Sequence, residues 1–452
     1  MSSVAIVTTA APPWMTGTAI NPSMRAAHLC KRGYRVCIVY PWISLTHQGL
    51  LFGTTFSTMR QQEDYIRAWI KDHAECEFVG HIVFYPANYE PRIGSIVQKS
   101  NVDITTLIPI RYRDIAILEE PEHINWLHRG RPWDLVFKCV VGVLHTNYVQ
   151  YSQDRHGWVS SQATKLAGAL LCTAYTDLNI HLSNSTVKTG IPGIVCNIHG
   201  VRPHFFADRQ KGEPVHTAGK VYFLGKAVWT KGYANLFHAY ARLRERLPHI
   251  TTFGSGPDFE EIAQCASKHH QITHNMQKEH TPPQFSEYIV FFNPSVSDVM
   301  CTATSEALAM GKYVIIPRHV CNEYFYNFRN CMTYADDRDL LQCFCAVFES
   351  PPVALNTWEK TQLSWEYCTS LLTNILENVV RKPRSHVSAG RHMCRFVHRA
   401  THTQPFHNVL RTFMGVSHAQ MHRDEVDAII RSTAYAAAGI VATITFSQGA
   451  NR

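Results

Sequence analysis

Two carboxylates, two ammonium groups and one imidazole stand out in this chain, because each follows an apolar run that gives way to a polar loop. The run YIVFF ends in NPSVSD, which carries Asp298, and CTATSEALAMGK then reads as a helix opening near Cys301 or Thr302. Glu306 follows Asp298 by eight positions, so one acid precedes the helix and the other lies in its first turns. A helix start offers free N–H groups and a positive dipole end, which suit a diphosphate. Two acids beside it can accept hydrogen bonds from sugar and ribose hydroxyls. In FLGKAVWTKGYANLF, Lys226 follows a strand-ending Gly225, and Lys231-Gly232 opens the next helix. Loop lysines are ordinarily solvated, but two cations and a helix start together can neutralise a leaving diphosphate.

CVVGVLHTNY places His145 just past a buried strand end, with Asn147 two residues on. A lone histidine there is more often structural; the polar Thr-Asn-Tyr that follows favours a substrate-facing edge. WMTGTAINP, after the first strand, holds Thr16, Gly17 and Thr18, whose backbone can approach a phosphate or sugar. FGSGPDFEEI, with Gly254 and Gly256, is a second glycine-bearing loop that can cradle a nucleotide, or else a plain turn. No G-x-G-x-x-G fingerprint is present.

These loops need sheets to carry them. VAIVTTA, a helix-like SMRAAHLCKRG closed by Gly33, and YRVCIVYP form the strand–helix–strand opening of a parallel doubly wound sheet. HIVFYP, DIAILEEP and KCVVGVLHTN continue it, and the segment 42–80 carries a helical stripe of Tyr65, Ile66, Trp69 and Ile70 that reads as core. A second α/β pattern, VYFLG, HITTF, YIVFFNP and KYVIIP, starts after a loop-like KGEPVHTAGK. The expected layout is therefore α/β: residues 1–200 and 201–363 form two domains facing across a cleft. A helix over about 364–380 packs back on the first domain, and 381–452 forms a basic, His-rich tail.

The tail holds ten Lys and Arg against three acids and so carries +7 of the net +8, which points to an anionic surface as partner, or merely to a solubilising tail. No run reaches the roughly 20 apolar residues of a membrane-crossing helix; AYAAAGIVATITF, the longest candidate, reads as an ordinary helix. The 14 cysteines form no C-x-x-C pair and read as reduced packing residues. His269, His270, His274 and His280 in HHQITHNMQKEH read as solvated rather than as metal ligands. Only Met1, Ser2 and Ser3 precede the first apolar run, so no cleavable presequence is expected.

The Asp298/Glu306 segment, the Lys226/Lys231 pair and His145 resemble retaining glycosyltransferases of the GT-B fold. More narrowly, VAIVTTAAPPWMTGTAINP, DIAILEEPEHINWLH, VVGVLHTNY, CNIHGV, YFLGKAVWTKGY and NPSVSDVMCTATSEALAMGK resemble the digalactosyldiacylglycerol synthase family. The resemblance implies transfer of galactose from UDP-galactose to monogalactosyldiacylglycerol, peripherally at the chloroplast outer envelope, with no cofactor, no metal and no nucleic-acid partner. It implies that Lys226 and Lys231 meet the β-phosphate, Glu306 the ribose, Asp298 the galactose hydroxyls and His145 the donor sugar. Gly17, Thr18, Gly225, Gly254, Gly256 and Thr302 would then line the donor, and Glu120, His123, Trp126 and Asn147 the acceptor side. The wider superfamily usually has Glu where Asp298 stands, whereas the narrower family has Asp. Alternatives at this stage are another acceptor such as sucrose or a glucan, a nucleotide-sugar epimerase, or a non-catalytic membrane-associated binder of the same fold.

Overall fold

A computed structural model describes residues 2–400 except 92–93, 101, 207–219, 277–279 and 382–388. The segments AYAAAGIVATITF and most of KGEPVHTAGK lie outside the described residues. Two mostly parallel sheets organise the chain. The first is built from β1 (Ser3–Val7), β2 (Arg35–Trp42), β3 (His81–Glu90), β4 (Ser95–Gln98), β5 (Ile115–Glu119), β6 (Cys139–Leu144), β7 (Leu178–His181) and β8 (Ile194–Val195). Its spatial order is β4-β3-β2-β1-β5-β6-β7-β8, parallel throughout except for the β3–β4 hairpin at one edge. The second contains β9 (Lys220–Leu224), β10 (Ile250–Gly254), β11 (Ile272–Met276), β12 (Tyr288–Phe292), β13 (Tyr313–Pro317) and β14 (Cys331–Tyr334). Its order is β11-β10-β9-β12-β13-β14, every pairing parallel.

The central strands are buried on both faces, which is why VAIV, IAILE, CVVGVL and YIVFF read as continuous apolar runs rather than alternating ones. The helix Gly17–Lys31 begins earlier than its apolar pattern suggests and carries Pro22 inside. Proline has no N–H to offer the carbonyl of Thr18; the hydroxyl of Thr8, at the end of β1, donates to that carbonyl instead. In the helix Met59–Ala74, Ile66, Trp69 and Ile70 are buried as the stripe requires, while Tyr65 remains exposed.

The helix expected near 364–380 is observed as Trp365–Arg381, and its Trp365, Leu372 and Leu376 join Val4, Ile6, Ile38 and Ile117 in a first-domain core. The basic, His-rich segment after residue 381 contains a helix, Ala389–Ala400, docked on the first domain. Its Arg395 is ion-paired with Asp134 at 2.6 Å, Arg391 bonds Asp177 at 2.8 Å, and His398 meets the Tyr175 hydroxyl at 2.7 Å. Of the histidines read as solvated, His269 and the exposed His270 do lie in a loop, but His274 and His280 depart from that reading. Ile272–Met276 is the edge strand β11, with the His274 ring bonded to Thr252, and His280 is 6% exposed. Among the described residues no group of His, Cys, Asp or Glu is placed to hold a metal ion, and no helix is long and apolar enough to cross a membrane.

Candidate active site

In doubly wound sheets ligands bind beyond the C-terminal strand ends, where the strand order reverses. The first sheet reverses between β1 and β5, the second between β9 and β12. The second-sheet loops at this point are Gly225–Lys231 after β9 and Asn293–Asp298 after β12.

These two loops are locked together by backbone. Gly232 sits at φ +100°, and a Cβ there would lie 2.9 Å from the Ser295 nitrogen. Ser297 donates to the carbonyl of Thr230 at 2.8 Å, and Asn235 to that of Pro294 at 3.0 Å. A Cβ on Gly254 would fall 2.4 Å from the Gly225 carbonyl oxygen, so the two glycines permit the β9 and β10 loops to touch. Gly256 similarly abuts the carbonyl of Ala227. These glycines thus have a packing reason to be present. The exposed Gly17 has none, since a Cβ there would make only an ordinary contact with Asn21.

The locked loops deliver Lys231 to Asp298, Nζ to Oδ1 at 2.6 Å. Burial alone would weaken the ammonium, but Asp298 and Tyr151 raise its pKa well above the ordinary value. Burial likewise pushes Asp298 up, and Lys231, with Ser295 and Asn293, outweighs it and holds the carboxyl below its usual range. The helix Thr302–Ala309 starts just beyond, and no side chain caps its first turn from the Cys301 position. Thr302 is its partly buried first residue. Glu306 is 5% exposed and already paired, with Arg202 at 3.1 Å and His280 at 2.8 Å. Each carboxylate oxygen accepts two hydrogen bonds, so capacity remains for a ribose hydroxyl.

The first-sheet half is more deeply enclosed. His145 follows β6 and its Nε2 bonds Glu119, the last residue of β5. Glu119 also takes Arg25 Nε at 2.7 Å, and the Arg25 side chain continues to the carbonyl of Ile198 at 3.1 Å. Burial would raise the Glu119 pKa, but Arg25 and His145 bring it down to about 2. Next to it, Glu120 adopts a left-handed backbone at φ +69°. It accepts hydroxyls from Thr9 at 2.6 Å, Thr146 at 2.5 Å and Tyr148 at 2.9 Å, drawing the ends of β1, β5 and β6 together. His123 bonds the same Tyr148 hydroxyl at 3.1 Å. Asn147 caps the helix Tyr148–Tyr175. Trp126 sits apart from this group, its carbonyl accepting from His398 of the docked helix.

The halves meet. Lys231 Nζ lies 5.5 Å from the ring centre of Tyr151, one turn into the helix that follows His145. Lys226 is exposed, and its Nζ lies 3.6 Å from where a Cβ on Gly94 of the first domain would be. Thr16 and Thr18 share a hydroxyl contact at 3.2 Å at the start of the helix Gly17–Lys31, whose N-cap side chain leaves the first turn open. Tyr151, Arg25, Glu119, His199, Arg202 and His280 escaped the sequence. For Glu119 a signal existed in the doubled acid of EEPEHINW; for Arg25 none did.

Two domains with mostly parallel sheets facing at their switch points, with a helix returning from the second to the first, have the architecture of the GT-B fold. A solved glycosyltransferase from Rickettsia africae shares this architecture, with a TM-score of 0.51 at 12% identity over 84% of this chain and 100% of that one. The family described as Glycosyl transferases group 1 matches residues 218–349. Digalactosyldiacylglycerol synthase 2 of Lotus japonicus is 37% identical over 380 residues, 81% of each chain. Digalactosyldiacylglycerol synthase 1 of Glycine max is 40% identical over 382 residues, 81% of this chain but 48% of that one, so the chain spans about half the length of that relative. The chain belongs to the digalactosyldiacylglycerol synthase family.

Proposed function

We propose that the chain transfers galactose from UDP-galactose to monogalactosyldiacylglycerol with retention of configuration, forming digalactosyldiacylglycerol at a plastid membrane. The observation that carries this is the Lys231–Asp298 pair at the second sheet's switch point, facing Tyr151 of the first domain. A diphosphate entering here exchanges its oxygens for the carboxylate at Lys231. The ammonium then neutralises charge on the β-phosphate as the glycosidic bond breaks, in a site where preorganised charge is worth most. Lys226, at the rim, adds a second cation to the same phosphate. Asp298, released from Lys231, accepts galactose hydroxyls, and Glu306 takes the ribose. The open first turn of Thr302–Ala309, and the loops of Gly225, Gly254 and Gly256, line the nucleotide, with Gly17 and Thr18 closing from the first domain. His145 hydrogen-bonds the donor sugar.

The acceptor 6-hydroxyl attacks on the face the phosphate leaves, and the departing phosphate oxygen takes the hydroxyl proton. No carboxylate pair flanking the bond and no metal is needed for these steps. The acceptor approaches past Glu120, His123 and Asn147. Attachment is peripheral, at the outer envelope, with the basic segment 381–452 holding anionic lipid through charge. The relatives' names, digalactosyldiacylglycerol synthase, support this acceptor over a glucan and favour transfer over epimerisation or mere binding.

The test is direct. The full chain, given labelled UDP-galactose and monogalactosyldiacylglycerol, should put label into a more polar lipid on thin-layer chromatography. Label that stays in nucleotide sugar as a new epimer, or no turnover with any lipid, removes the assignment.

A further inference from the structure

A buried ion pair stands directly behind His145, and the proposed chemistry leaves it unused. Arg25 is 1% and Glu119 0% exposed, and the His145 side chain 5%. The three come from a helix, the end of β5 and the residue after β6. Burying charge is a poor source of stability, since well-packed apolar residues usually do as well. Such a pair is better explained by what it orients.

An ionised carboxylate only accepts hydrogen bonds, so Nε2 of His145 must be the donor to Glu119. A neutral imidazole that donates through Nε2 has Nδ1 as its lone-pair acceptor. Among the described residues, Nδ1 of His145 makes no hydrogen bond. The ring is also wedged on its face by His199, centroids 4.9 Å apart. His199 is itself kept neutral, its pKa pushed far down chiefly by burial. Arg25 fixes this wall too, through the carbonyl of the neighbouring Ile198.

We propose that Glu119, locked by Arg25, is a positioning residue that holds His145 by Nε2 and so presents Nδ1 to the crevice as acceptor for a hydroxyl of the transferred hexose. This rests on the donor-sugar role proposed above for His145. The pair thereby selects one tautomer and one ring orientation, as a carboxylate does for a catalytic histidine in unrelated folds.

A double-mutant cycle in the full chain tests it, using UDP-galactose and monogalactosyldiacylglycerol. Glu119→Gln is expected to lower kcat about 100-fold, the scale of a misplaced reacting geometry, while the donor KM moves less than about threefold. In a His145→Ala background the same substitution should cost less than about twofold, because its effect is already gone. Losses that multiply in the double variant overturn the proposal. Full turnover in His145→Ala alone removes the donor-sugar role, and the inference with it. Should Glu119→Gln fail to fold, nitrogen NMR of the ¹⁵N-histidine-labelled wild-type chain decides, with His145 signals assigned by their loss in His145→Ala. A protonated Nε2 with bare Nδ1 supports the proposal, and a protonated Nδ1 with bare Nε2 overturns it. This spectrum is read without any transfer reaction, so it separates failure of the orientation from failure of the proposed activity.

Discussion

Lys231 and Arg25 are both cations paired with a carboxylate at a sheet's switch point, yet they are held in opposite ways. The Lys231 and Asp298 side chains keep 24% and 16% of their surface open, whereas Arg25 and Glu119 keep 1% and 0%. The Lys231 pair is mounted on loops fixed by glycine contacts and by hydrogen bonds to carbonyls, so its position does not depend on the pair itself. Arg25 and Glu119 instead sit inside the core and tie a helix to β5, to His145 and to the segment after β8. An accessible pair can exchange partner for ligand, and a sealed one can only orient its neighbours.

Removing each cation should separate the two. Lys231→Ala is expected to lower kcat by roughly 10³-fold, the upper range for losing one stabilising charge at a reacting phosphate, with an unchanged unfolding midpoint. Near-normal kcat in the purified variant breaks the comparison at the second domain. Arg25→Ala should instead cost about 3–5 kcal/mol of stability by leaving Glu119 charged and buried, read from chemical denaturation. A loss below about 1 kcal/mol would mean that water reaches the site and the pair is not sealed.

Acid should give the smallest and most gradual effect. The folded pKa of Glu119 lies below its ordinary 4.5, at about 2, so its contribution is complete above 4.5 and is lost as pH falls through about 2. Near-UV circular dichroism should show first-domain packing loosening across that window. Glu119→Gln, which has no proton to take up, should lose that component; an identical acid profile in the variant would assign the transition elsewhere.

The same contrast explains what the sequence disclosed. The second-domain half lies in two short stretches, 223–232 and 292–306, where strand, glycine loop, charge and helix start follow one another. Local order therefore exposes the chemistry. In the first domain Arg25 and Glu119 are 94 positions apart, and Arg25 sits in a helix with nothing to mark it from a solvated arginine. His280 was misjudged for the same reason, since its partners Tyr222 and Glu306 come from a distant strand and helix. Strands of continuous apolar character were visible, but β11, with the sequence ITHNM, was not. The helix Ala389–Ala400 looked like a basic tail because the aspartates that its Arg391 and Arg395 meet, Asp177 and Asp134, lie more than 200 positions away in the chain.

That docked helix and the one before it bear on how the molecule is made. The first domain buries Trp365 and Leu372 in its core and Arg395 against Asp134, all of which follow the second domain in the chain. A ribosome releases residues in order, so the leading half must wait, incomplete, until the second domain has emerged and the helices Trp365–Arg381 and Ala389–Ala400 have packed back. Biogenesis here is thus interleaved rather than sequential, and a lesion near residue 395 would be felt as a defect at the other end of the polypeptide.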